Sequence, residues 1–340
     1  MKKRVSIGLT ITLLASGTTS AFASEHHPHP KQIKNVEFQS MNAPTTIEDM
    51  IKTYTNASVK VNYKDGSVKK TPLKYNQLFL SKKKDKIVDN KGEMIAAGTP
   101  IDVNGDPIID RSVPDQPTPY VSDVPDSNSF ITINGKSYII SHYEYESIDN
   151  AGEELGGLPA SMTLTQVDRL NMAAGQKDQS KGKIDSRYVP ASMEGLVIGE
   201  DLEQADAYGN TANPDKIANP DNLTYSEDMN TLFIGEDSDM HTNNFVWAYN
   251  VKTKKLSRIL SVPVGAEATG LRAVESIENS RYLLSNYQHP GEKLGKKDIT
   301  AVDRDALEKA MRDSIGIQET GGVGYVSGLP SNEGPQHKKQ

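Results

Sequence analysis

Two stretches of this chain can be laid over one another at an offset near fifty residues, and that offset limits the folds open to it. Asp221-Asn222-Leu223 ahead of Leu232-Phe233-Ile234 matches Thr269-Gly270-Leu271 ahead of Tyr282-Leu283-Leu284, with 48 residues from Leu223 to Leu271 and 50 from Ile234 to Leu284. A period of about 40–50 residues, made of short strands without long helices, is the pattern of β-propeller blades. Ile198-Gly199-Glu200-Asp201 also echoes Ile234-Gly235-Glu236-Asp237, 36 residues on. A β-sandwich satisfies the same strand pattern. At about 45 residues a blade, residues 35–330 have room for about six blades at most, and their loops argue for fewer. The expectation is an all-β, β-propeller-like chain, incomplete or with fewer blades, and with a short C-terminal helix.

Local signals fill in that outline. Val59 to Tyr63 alternates apolar and polar residues, Asp65-Gly66 is a turn pair, and extended chain resumes from Ser67 through Leu78-Phe79-Leu80, which reads as a hairpin. The clearest hairpin is Phe130 to Ile133, Asn134-Gly135, then Ser137 to Ile140. It runs into Ser141-His142-Tyr143-Glu144-Tyr145-Glu146, where alternation sets His142, Glu144 and Glu146 on one face. Met162–Val167 and Val323–Val326 read as further strands. Thr45 or Thr46 before Ile47-Glu48-Asp49-Met50 marks a helix start, and Leu307, Ala310 and Met311 have helical spacing within Asp303–Ser314. Asn171 to Arg187 is polar and without periodicity, a flexible connector, and residues 331–340 form a disordered tail.

The first 23 residues stand apart. Met1-Lys2-Lys3-Arg4, an apolar run from Val5 to Ala15 and the small-residue site Ala21-Phe22-Ala23 read as a secretory signal peptide, followed by a flexible terminus over 24–34. Cleavage after Ala23 removes three basic and no acidic side chains, taking the formal charge from −7 to −10. An acidic, secreted chain with no membrane-spanning run in its body is a poor partner for nucleic acid or for a membrane, and it suits a cation-rich exterior. The chain has no cysteine. Disulfides, thiolate metal sites and thiol nucleophiles are therefore excluded, and any metal must be held by oxygen or by the seven histidines.

Motifs for serine hydrolases, P-loop nucleotide binding and zinc proteases are absent. What remains is oxygen chemistry in Ala218–Pro290: Asp221, Asn222, Glu236, Asp237, Asp239 and Glu267, with His241 and His289 nearby. Gly235 and Gly265 precede acids by one and two residues, where a backbone without side chains lets carbonyls and carboxylates approach a common ion.

These stretches resemble the PhoX-type alkaline phosphatases, exported bacterial enzymes. The likeness lies in Asp215–Asn222, Leu232–Asp237, Asn244–Asn250, Gly265–Gly270 and Gln288–Glu292, and more faintly in Tyr63–Ser67 with Pro72-Leu73 and Leu78-Phe79, and in His142–Tyr145 with Leu158–Ala160. It covers about half of the chain beyond the signal segment. The resemblance implies a propeller with calcium and iron near its axis, hydrolysing small phosphate monoesters. By position in the matching motifs it implies Glu144, Asp221, Glu236 and Glu267 as the foremost metal ligands, with Asp237, Asn222 and His289 behind them. This chain is shorter than such enzymes and has no counterpart of their T-P-W-G-T motif, as though a central segment near the connector were missing; its one tryptophan, Trp247, belongs to another motif. A non-catalytic, exported calcium-binding propeller is the alternative reading.

Overall fold

The computed structural model describes residues 31–81, 85–88, 91–99, 104, 106–107, 109–110, 115, 117–133, 136–143, 168–174, 188–277, 280–292 and 294–330. The signal segment, Met162–Val167, Glu144 and Glu146, most of the connector and the tail lie outside these residues.

In chain order the elements are β1 (Ile33–Gln39), the single-turn helix α1 (Ile47–Met50), β2 (Ser58–Tyr63), β3 (Val68–Pro72) and β4 (Lys74–Leu80). Short pairs follow, β5 (Lys86–Val88) with β6 (Met94–Ala96) and β7 (Ile109–Asp110) with β8 (Thr118–Pro119). Then come the hairpins β9 (Pro125–Ile133) with β10 (Lys136–Tyr143) and β11 (Asp168–Ala174) with β12 (Tyr188–Gly195). The C-terminal half holds β13 (Pro220–Ser226), β14 (Thr231–Glu236), β15 (Asn243–Asn250), β16 (Lys255–Val264), β17 (Glu267–Ile277), β18 (Ser280–Gln288), α2 (Arg304–Ser314) and β19 (Gly322–Ser327).

Two four-stranded antiparallel sheets carry the architecture. One is the meander β13-β14-β15-β16; the other runs β17-β18-β19-β4, so that its outermost strand comes from the N-terminal part of the chain. Leu223 and Leu271 lie on the first strands of these sheets, Ile234 and Leu284 on the second. The fifty-residue period is thus the step from one sheet to the next, and the fold is all-β and propeller-like. The Ile198 echo is no such step: that segment is irregular apart from an isolated bridge between Asp201 and Ala212, with Ile198 76% exposed.

Several local expectations meet a specific physical cause. Thr46 caps α1, its hydroxyl accepting from Asp49 N, and Asp303 caps α2 by accepting from Ala306 N. In the β9–β10 hairpin Ile133 faces Lys136, the register of a two-residue connection at Asn134-Gly135. The extended chain after Ser67 divides at Leu73. β3 pairs with β2, whereas β4 leaves to close the second large sheet on β19. Asn171–Ala174, expected as connector, extend β11 by pairing with β12, and β1 begins at Ile33 within the expected flexible terminus. Backbone pairing with a partner distant in sequence orders such polar segments whatever their composition.

The main core joins β1 and β2 to both large sheets, with Phe38 edge-on to Phe233 at a centroid distance of 5.7 Å. A second cluster lies around Ile217, Ile234, Phe245, Trp247 and Tyr249. On α2, Leu307 and Met311 pack with Met50, Val264 and Leu294. Alternating burial along β2, with Val59, Val61 and Tyr63 inside, is the period-2 signature that the sequence carries there.

Candidate functional site

The starts of β13 and β17 and the end of β14 meet at one edge of the two large sheets. Pro220 pairs with Glu236 and Asn222 with Gly235, so Asp221 is the extra residue of a bulge that breaks the alternation there. Gly235 is required by a close approach: a Cβ at that position would stand 2.1 Å from Ala268 O and about 3 Å from the Asn222 amide. Through this gap Asn222 Nδ2 donates to Ala268 O at 3.0 Å, tying one sheet to the next.

Glu267 opens β17 and is 7% exposed. Directly across the strand pair, Gln288 Nε2 donates to Glu267 Oε2 at 2.5 Å. Burial pushes the Glu267 carboxyl up to about 9, with the charge of Asp237 and then that of Asp221 adding to the rise; hydrogen bonds from Gln288 and Thr269 oppose it. At this corner Glu267 is buried, Asp221 half-buried and Asp237 exposed, and a proton or a cation offsets the repulsion that the two aspartates exert on Glu267. Asn222 Oδ1, in the same corner, is buried with no hydrogen-bond partner among the described residues. Carboxylates and an amide oxygen are the donors that calcium takes, so the residues fit such an ion in kind. Among the described residues no three His, Asp or Glu side chains converge closely enough to coordinate one.

The expected ligands divide accordingly. Asp221, Asn222, Asp237 and Glu267 come together, and Glu144 lies outside the described residues. His289 follows Gln288 in a left-handed conformation, φ 53°, with its carbonyl accepting from Glu292 N. Glu236 plays a different part. It is fully buried, and its two oxygens accept from four donors: Ala218 N and Trp247 Nε1 at Oε1, Phe245 N and His241 Nδ1 at Oε2, at 2.7–3.0 Å. Its hydrogen-bonding capacity is taken up by the loops it joins. The other ring nitrogen of His241, Nε2, lies 3.3 Å from Asn213 O. Asp239 is exposed in the same loop, and the His241 ring is buried against Glu236.

Sequence reading missed the polar residues that brace the corner. Thr269 Oγ1 lies 2.8 Å from Asp126 O and 3.0 Å from Asp126 Oδ1, joining β17 to β9. Asn128 Nδ2 donates to Gly270 O and Asn286 Oδ1, both at 2.8 Å, and Asn128 Oδ1 accepts from Ser141. Asn286 Nδ2 donates to Pro125 O at 3.1 Å. The signal was present in the alternation of β17 and β18, which puts Glu267 and Thr269 opposite Gln288 and Asn286 on one sheet face.

No family model and no curated protein matches the chain. Among solved structures, Pseudomonas fluorescens PhoX in complex with vanadate, a transition state analogue, aligns at 19% identity with a TM-score of 0.24. That alignment spans 33% of this chain and 18% of the PhoX chain.

Proposed function

We propose that this chain is an exported, metal-dependent phosphomonoesterase of PhoX type, with its cation held at the corner formed by Asp221, Asn222, Asp237 and Glu267. The observation that carries the reading is Glu267: a carboxyl raised by burial and further by the charges of Asp237 and Asp221, beside an amide oxygen that lacks a donor among the described residues. The sequence motifs around these residues supply the reaction class. Calcium or iron bound there would neutralise charge on a phosphate and act as a Lewis acid. The protein's own contribution is placement. Gln288 and Thr269 fix the Glu267 carboxyl, Gly235 admits the Asn222–Ala268 bond, and the bulge at Asp221 turns that side chain out of the strand alternation. Mature protein supplied with calcium and iron should hydrolyse p-nitrophenyl phosphate at alkaline pH, and Glu267→Gln should abolish this. Undiminished turnover in excess chelator overturns the reading.

The state of Glu236 favours a second one, cation binding without hydrolysis. A carboxylate that the motifs offer as a ligand is already saturated by protein donors, which leaves fewer oxygens for a multi-metal cluster. Calcium-dependent thermal stabilisation without turnover selects this reading, since a ligand bound only by the native state raises its stability.

A further inference from the structure

A cavity of about 230 Å³ lies between β4, β5, β10, β19 and the loop residues Gly98, Thr99 and Ser122. Its lining follows from the backbone. Val323 pairs with Phe79 but Gly324 with Gln77, so Leu78 is the extra residue of a bulge on β4. A bulge interrupts the alternation of its strand, and the consecutive apolar residues Leu78 and Phe79 both line the cavity. On β10 the alternation is kept, and Ile139, Ser141 and Tyr143, two residues apart, all line it.

The hydroxyls around this space are engaged, with one exception. Thr99 Oγ1 donates to Ala96 O at 2.8 Å, Ser122 Oγ accepts from Val124 N at 3.3 Å, and Ser141 Oγ donates to Asn128 Oδ1 at 2.7 Å. The exception is Tyr143, whose hydroxyl has no hydrogen-bond partner among the described residues. Burial pushes it up to about 12, so it stays a neutral donor. Among the described residues no Asp, Glu, His, Lys or Arg lines the cavity. A charged ligand would therefore lose its water without gaining a counter-charge, whereas a neutral apolar one gains by leaving water. The walls are also preformed. Ser122 N donates to Gly98 O at 2.9 Å, a Cβ on Gly98 would stand 2.2 Å from Ser122 O, and Asp85 accepts from Leu80 N at 2.6 Å to hold the end of β4.

We propose that this cavity binds a small neutral aromatic molecule with one acceptor oxygen, to which the Tyr143 hydroxyl donates. An apolar cavity of roughly 150 Å³ accepts benzene, so 230 Å³ has room for a single ring with a short substituent. The rings of Phe79 and Tyr143 in the lining favour an aromatic occupant over an aliphatic one. Such binding needs no metal and stands apart from the acidic corner and from the phosphomonoesterase reading. Leu78, 48% exposed, and Ile139, 39% exposed, form a rim that can be altered without disturbing the core.

Acetophenone, titrated calorimetrically into the metal-free protein, should bind saturably at one site per chain, and benzoate should not bind. Leu78→Glu and Ile139→Glu should each weaken acetophenone at least tenfold, read in whichever variant keeps the wild-type melting temperature. Tyr143→Phe should weaken acetophenone about fivefold, the scale of one hydrogen bond, and leave 2-phenylpropene, which has the same shape without the oxygen, unaffected. No saturable binding to the wild-type protein, or binding that both rim substitutions leave intact, overturns the site. Equal effects of Tyr143→Phe on the two ligands, or no effect on either, overturns the donor role of Tyr143.

Discussion

Gln288 stands directly opposite Glu267 across β17 and β18 and donates to its carboxyl at 2.5 Å. A neutral donor in that position orients the carboxyl without cancelling its charge. Neutralisation is left to a proton or to a cation.

The first consequence is a pH dependence with a definite sign. The Glu267 carboxyl is raised from 4.5 to about 9 in the folded protein. Between those values the unfolded chain has lost the proton that the folded chain keeps, so metal-free stability is highest at the acid end and falls as pH rises towards 9. The slope from this group is at most about 1.4 kcal/mol per pH unit. Thermal melts in chelator from pH 5 to 9 should show that decline, and Glu267→Gln should flatten it. Equal slopes in the two proteins count against the buried-acid assignment.

Gly235→Ala forces a methyl group to within 2.1 Å of Ala268 O and against the Asn222 amide. Overpacking of this kind costs about 1–3 kcal/mol, and relaxation here must also separate the two sheets at the acidic corner. At Gly295 a Cβ would meet nothing nearer than Arg304 Nη2 at 3.9 Å, so Gly295→Ala should be close to neutral. Urea unfolding of the two variants provides the comparison.

Glu236→Gln removes an acceptor from a carboxylate with four protein donors, two of them from His241 and the indole of Trp247. Breaking a buried charged partner typically costs 3–5 kcal/mol. Glu236→Gln should therefore be the most destabilising neutralisation among Asp221, Glu236, Asp237 and Glu267, as read by the denaturation midpoint. Trp247 is the single tryptophan of the chain, so its fluorescence reports the same event.

Asn128→Ala deletes one of the side chains that tie β9–β10 to β17 and β18 and removes its donor from Asn286 Oδ1 and Gly270 O. Unsatisfied buried groups cost about 1–3 kcal/mol each. Hydrogen exchange should speed up in β9 and β10 first while β14 and β15 stay protected, since those strands belong to the other sheet.

How much of this could be read beforehand depended on how local the cause was. The β9–β10 hairpin followed from Asn134-Gly135 between β-rich runs, α1 from Thr46 and α2 from Leu307 and Met311, because turns and caps are decided within a few residues. The fifty-residue offset correctly located the first two strands of both large sheets. β1 was missed: Ile33 to Gln39 carries only two fully buried side chains, Val36 and Phe38, and is ordered by pairing with β2. Likewise, nothing near Lys74–Leu80 announces that β19, some 240 residues away, is its partner. At the site, acids could be picked out by type, but Glu236 and Glu267 look alike in sequence. Only tertiary structure distinguishes a carboxylate surrounded by four donors from a buried one raised further by the charge of two other acids.

On the proposed reading a cation occupies the corner of Asp221, Asn222, Asp237 and Glu267. Elemental analysis of the protein, after equilibration with calcium and removal of free ion by gel filtration, is the test. At least one calcium should be retained per chain, and it should be lost in both Glu267→Gln and Asp221→Asn with circular dichroism unchanged. A wild-type chain that retains no calcium, or retention undiminished in both variants, contradicts it.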